Sequence, residues 1–192
     1  AKLRYACEVT INPGTVAASY VFRANDLYDP DVTGTGHQPR GFDEWMNIYE
    51  KFTVVGSKIR IEPIGAHNAD VSPSTWGILL SETGTVVSGS SLVAADMLEL
   101  KYNKHHKAQY GEFNSVARHS LTSKFSAKRF FGKKDIVGGD EFQGTASGSP
   151  TEQAFFEMWA YGNATIDPAA LWFRVIIDYI VVFTGPRVLP MS

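Results

Sequence analysis

With 192 residues, 44% hydrophobic and 20% charged, the chain suits one globular domain with a sizeable core and excludes a disordered tail. It contains no apolar run long enough to span a bilayer as a helix, so no membrane insertion is expected. Its net charge of -2 hides a strong asymmetry: residues 101–134 carry nine Lys/Arg against one acid, a local +8, and the remainder carries nine against nineteen, or -10.

Residues 3–11, LRYACEVTI, alternate strictly, with Leu3, Tyr5, Cys7, Val9 and Ile11 on one face. Period two with one apolar side predicts a half-buried strand, and Asn12-Pro13-Gly14 predicts the turn that ends it. A second strand is expected over about 19–24. Residues 28–43, YDPDVTGTGHQPRGFD, crowd three aspartates, a histidine, an arginine and three glycines together. Asp29-Pro30-Asp31 reads as the end of that strand, and the rest reads as a structured connector. Two further roles are open: His37 and Arg40 as a subunit contact, or Asp29 and Asp31 as a cation site. Phe42, Trp45, Ile48 or Tyr49, and Phe52 recur at helical spacing, so 42–52 is expected to be a helix, with Asp43 and Glu44 favourable in its first turn.

Residues 52–64 are β-rich, and Pro63 marks a strand end or a sheet edge. Residues 75–81 form a short apolar strand. LVAADMLEL predicts one or two helical turns, and the LELKYNK stretch begins a strand. VARHSLTSKFSAKRFF carries the next strand, and 132–150 is a long loop with five glycines. QAFFEMWAY (153–161) and LWFRVIIDYIVVFT (171–184) are strands. On the second, Leu171, Phe173, Val175, Ile177, Tyr179, Val181 and Phe183 share a face. About eight strands, one convincing short helix between early strands and uneven long loops predict an all-β, antiparallel β-sandwich, a single eight-stranded jelly roll over 1–192.

Catalytic motifs are scarce. Phe131-Gly132-Lys133-Lys134-Asp135 lacks the ending of a phosphate-binding loop, and no Gly-x-Ser-x-Gly nucleophile turn occurs. Cys7, the only cysteine, excludes an internal disulfide and reads as a buried thiol. His105 and His106 are adjacent, so on a strand they point to opposite faces and cannot easily share an ion. His67-Asn68-Ala69-Asp70 gives no close His-x-carboxylate pair. No signal peptide is visible, and Asn163-Ala164-Thr165 is a glycosylation sequon in form only. No enzymatic activity, cofactor or metal is expected.

The cations of the basic segment are Lys101, Lys104, Lys107, Arg118, Lys124, Lys128, Arg129, Lys133 and Lys134. Lysines can solvate a face or guard a sheet edge. Here Tyr102, Tyr110, Phe113, Phe125, Phe130 and Phe131 interleave with them. Cations neutralise phosphates and aromatic rings stack on unpaired bases, so single-stranded nucleic acid is the other reading.

An ordered set of motifs adds a resemblance. Tyr28-Asp29-Pro30-Asp31, Gly34–Pro39, Gly41-Phe42-Asp43, Tyr49, Phe52, Val54 and Ser57-Lys58-Ile59 come first. Phe125–Asp135, Pro150–Ala154, Asp167–Ala170 and Ile176–Thr184 follow. Over about residues 19–185 the chain resembles the capsid proteins of circular Rep-encoding single-stranded DNA viruses, relatives of the circoviruses. The resemblance implies a jelly roll that self-assembles, in about sixty copies, into a closed symmetric icosahedral shell around circular single-stranded DNA. It also implies a place in the virion, assembly in the host nucleus, a host receptor and a basic N-terminal arm; no such arm precedes Ala1 in this sequence. The alternatives are a jelly-roll carbohydrate-binding, lectin-like module and a cupin-like metalloenzyme.

Overall fold

The computed structural model describes residues 1–13, 16–66, 74–87, 94–108, 119–162 and 170–188. The strands are β1 (Lys2–Ile11), β2 (Ala18–Arg23), β3 (Tyr49–Ala66), β4 (Ser74–Ser81), β5 (Asn103–Ala108), β6 (Leu121–Ser126), β7 (Gln143–Thr145), β8 (Phe155–Tyr161) and β9 (Leu171–Pro186). Short helices α1 (Phe42–Ile48), α2 (Ala94–Glu99) and α3 (Ala127–Phe130) interrupt them.

Two antiparallel sheets result. One runs β1-β9-β3-β6, with the three-residue β7 also on β3; the other runs β2-β8-β4-β5. From β1 to β4 the chain alternates between sheets; β4 and β5 then stay in one sheet, β6 and β7 lie in the other, and β8 and β9 alternate again, which is the jelly-roll arrangement. Alternation explains the packing: the stripe Leu171, Phe173, Val175, Ile177, Tyr179 and Val181 of β9 is buried against Phe22, Trp76, Ile78, Phe156 and Met158 of the opposite sheet. Two polar ties cross the core. Tyr179 Oη donates to the Arg23 carbonyl at 2.8 Å, and Ser57 Oγ donates to the Ala24 carbonyl at 2.5 Å.

The long strand β3 corrects the sequence reading at both ends. The helix stops at Ile48 rather than 52, because Tyr49 onward pairs with β9 (Lys51 opposite Thr184, Phe52 opposite Phe183). Apolar residues at 45, 49 and 52 satisfy either period, and the strand partner decides between them. Pro63 does not end β3, which continues to Ala66; it sits beyond Ile61, where the pairing with β6 ends, and so fits the sheet-edge alternative of the sequence reading. Likewise, 127–130 is a helical turn and not the end of a strand, and the 132–150 loop contains β7.

The outer faces of the two sheets differ. Over β2-β8-β4-β5 a second apolar layer forms from Ala17, Leu79, Val87, Met97, Trp159 and Tyr161. Glu157 of β8 is fully buried beneath it, accepting from the Val87 N–H at 3.1 Å, the Val86 N–H at 3.4 Å and the Ser81 hydroxyl. The β1-β9-β3-β6 sheet carries no such roof among the described residues; its outward positions Lys2, Arg4, Lys58, Arg60, Lys124 and Arg174 are exposed.

Candidate nucleic-acid interface

On the open sheet, register gathers charge. Arg4 lies opposite Asp178, Asp178 opposite Lys58, and Lys58 opposite Lys124. These four residues form one row across β1, β9, β3 and β6, spanning roughly 14 Å at the usual inter-strand spacing. Three of the four are cations. Arg4 grips Asp178 with both nitrogens, at 2.7 and 3.2 Å, and Lys2 adds a 3.4 Å contact. Those hydrogen bonds hold the Asp178 carboxyl below its usual range, so it stays ionised. Elsewhere on the face Arg60 pairs with Glu62 at 3.0 Å and Arg174 with Glu8 at 3.1 Å. A shallow cavity of about 180 Å³ opens among Arg4, Lys58, Arg60, Ile176 and Asp178.

The basic segment continues this face round the β6 edge. Lys101 lies in the turn after α2, Lys104 and Lys107 on β5, Lys124 on β6, Lys128 and Arg129 in α3, and Lys133 and Lys134 just beyond. All eight are exposed. Both edge strands meet on one flank, where Lys104 Nζ donates across to the Thr122 carbonyl at 2.8 Å. Among the described residues, Lys58, Lys107, Lys124, Lys128, Arg129, Lys133 and Lys134 have no acidic partner within ion-pair distance. Arg118, Tyr110 and Phe113 lie outside the described residues, as do 67–70, the 163–165 sequon and 167–169.

The interleaved aromatics divide. Phe125 is core, and Phe130 and Phe131 pack against it, 5.6 and 5.9 Å between ring centroids. Tyr102 is 49% exposed, with Lys101 Nζ 4.9 Å from the centre of its ring.

Residues 28–43 are a wired connector. The strand β2 has already ended at Arg23, so Asp29-Pro30-Asp31 does not terminate it; the chain turns back and Asp31 bridges to Phe22. Arg23 Nη1 holds Asp29 at 2.6 Å. Asp31 accepts from Tyr20 Oη at 2.7 Å and from the Thr33 N–H and hydroxyl at 3.0 and 2.8 Å. The two carboxylates therefore serve different protein partners. The His37 ring packs against Tyr5 at a 32° tilt, 4.7 Å between centroids, and its Nε2 reaches the Ala6 carbonyl, 3.1 Å away, on the free edge of β1. Arg40 is exposed. Gly36 is required, since a Cβ there would lie 2.7 Å from both Asp31 Cβ and Tyr5 Oη. Half-buried Cys7 lines a separate cavity together with Tyr5, Asp31 and His37; burial pushes its thiol up to about 11, so it carries no nucleophilic thiolate at neutral pH.

Sequence reasoning found the basic segment but missed Lys2, Arg4, Lys58, Arg60 and Arg174. Their signal was present as the polar alternate positions of 3–11, 52–64 and 171–184. What joins them to Lys124 is register, which no local pattern encodes.

No family model matches the chain, and no curated protein matches it. Solved structures do. The 60-mer BFDV capsid protein superposes with a TM-score of 0.52 at 10% identity, covering 100% of this chain and 96% of that one. The decameric BFDV capsid protein gives 0.49 at 11% identity, covering 96% and 98%. Turnip Yellow Mosaic Virus gives 0.46 at 10% identity, covering 99% and 95%. The chain thus has the jelly-roll fold found in the subunit of the 60-mer capsid.

Proposed function

We propose that this protein is a structural, non-catalytic subunit of a small icosahedral shell, and that its open sheet faces a single-stranded DNA genome. The observation that carries the reading is the cross-strand row of Arg4, Lys58 and Lys124 on the open sheet, running into a flank of cations that have no acidic partner among the described residues. A solvated face has little reason to set Lys58 and Lys124 directly opposite one another, since like charges there repel. A phosphate chain lying across the row removes that repulsion and releases counterions. Among the described residues, the opposite sheet is roofed by its own apolar layer and adds only Lys104 and Lys107, at its β5 edge, to this surface. The motif resemblance and the shared fold with a 60-mer capsid subunit support the assembly. Residence in the virion follows from this reading, and the cations provide the contact to the genome.

Electron microscopy of the purified chain tests it. Uniform particles about 20 nm across are expected, the order of size that about sixty domains of this length require. A protein that stays monomeric across salt and pH overturns the assembly.

A further inference from the structure

We infer that the flank carries a built subsite for one unpaired nucleotide, with its base on Tyr102 and its phosphate on Lys124 and Arg129. The inference rests on the polyanion reading above and sharpens it, from phosphate contacts spread over a face to a pocket that also takes a base.

Three observations converge. First, a pocket of about 330 Å³ is lined by Leu80, Tyr102, Lys124, Phe125, Ser126, Arg129 and Phe130. It therefore combines an aromatic and aliphatic wall with two cations that have no acidic partner among the described residues. An apolar wall alone would suit many ligands; an apolar wall with unpaired cations selects a flat, anionic one. Second, Tyr102 is held at φ 65°, the only non-glycine residue with positive φ among the described residues. That conformation is disfavoured for a bulky side chain, and glycine or asparagine would fill it at less cost. An aromatic residue kept on a strained backbone, with its ring 49% exposed, contributes little to the core and offers a ring face to a ligand. Third, the ring is oriented from two sides. Phe130 lies 6.2 Å away at 49°, and Lys101 Nζ sits 4.9 Å over the ring. Phe130 is itself fixed by Phe125 and Phe131, at 5.6 and 5.2 Å. The platform is thus rigid on the Phe130 side, and the long Lys101 side chain can swing from the ring to a phosphate as a base arrives.

Base-on-aromatic stacking is sequence-tolerant, so the pocket adds affinity for any unpaired base without selecting a sequence. The test compares two probes of equal length on the full chain by fluorescence anisotropy: oligo-deoxythymidine and an abasic deoxyribose-phosphate oligomer. The wild type is expected to bind the thymidine oligomer roughly tenfold more tightly than the abasic one. Tyr102→Asn, which suits the left-handed backbone, should abolish that ratio and leave the abasic affinity unchanged; Tyr102→Trp should retain the ratio. Lys58→Gln, away from the pocket, should weaken both probes alike. Equal binding of both probes by the wild type overturns the nucleotide subsite while leaving the phosphate-binding face standing. Failure to bind either probe at low salt overturns both. A sulfated oligosaccharide that binds more tightly than the thymidine oligomer, with Tyr102→Asn weakening it, overturns the nucleotide assignment in favour of a glycan.

Discussion

At the residue scale, the Lys58–Lys124 pair separates stability from function. The two lysines stand directly opposite on β3 and β6, and the only acid in their row, Asp178, is already engaged by Arg4 and Lys2. Replacing Lys124 with glutamate turns a repulsive neighbour into an attractive one. The Lys124→Glu protein is expected to unfold at a higher temperature, a gain of about 0.5 kcal/mol, because opposite-charge pairs in this position are favourable. The same change should lower single-stranded DNA affinity and flatten its salt dependence. Loss of stability together with undiminished DNA binding would make Lys124 an edge guard instead. The cation content of 101–134 was legible in the sequence, as was the alternation that exposes Arg4. The row was not legible, because pairing 58 with 124 depends on the sheet and not on any local pattern.

At the element scale, β8 shows why one face of the sandwich is closed. The stretch QAFFEMWAY reads as a strand, and 155–161 is one, with Glu157 on it. The Glu157 carboxylate is buried and binds the backbone of 86–87 and the Ser81 hydroxyl, fastening that segment over the sheet. Glu157→Ala removes the acceptor and leaves two backbone N–H groups unpaired. It should cost about 2–4 kcal/mol, since each buried orphan donor is worth about 1–3 kcal/mol. Urea denaturation would measure it, and hydrogen exchange should show the new openings concentrated at 82–87. A stability within experimental error of the wild type would mean that water replaces the carboxylate freely. Helix α1 teaches the complementary lesson. Its start at Phe42 follows from the sequence, and its end does not, because Tyr49 and Phe52 fit both periods until β9 claims them.

At the scale of the whole molecule, the sheet that holds the basic row is joined by residues far apart in the chain. The last long strand, β9, is an interior member, flanked by β1 and β3. It pairs with β1 from Lys2 to Ile11 and with β3 from Tyr49 to Ala66. A version ending at residue 170 therefore loses the partner of both strands. It is expected to show no cooperative thermal unfolding and no defined near-ultraviolet circular dichroism. A cooperative transition in that version would mean that β1 and β3 find each other directly. The jelly-roll class was legible because strand count, alternation and long loops all agree; the strand order was not, since it is set by which apolar faces close over one another.

The interior place of β9 also has a consequence in time. A ribosome adds about 5–20 residues per second, so roughly eight to thirty-five seconds separate the synthesis of β1 from that of its partner. During that interval the Leu3, Tyr5, Val9 and Ile11 stripe has no native strand beside it. The row of Arg4, Lys58 and Lys124 has not yet formed either, because β9 is what sets β1 and β3 in register. A nascent chain therefore holds Arg4 apart from Lys58, and only a finished one presents them as neighbours in one row.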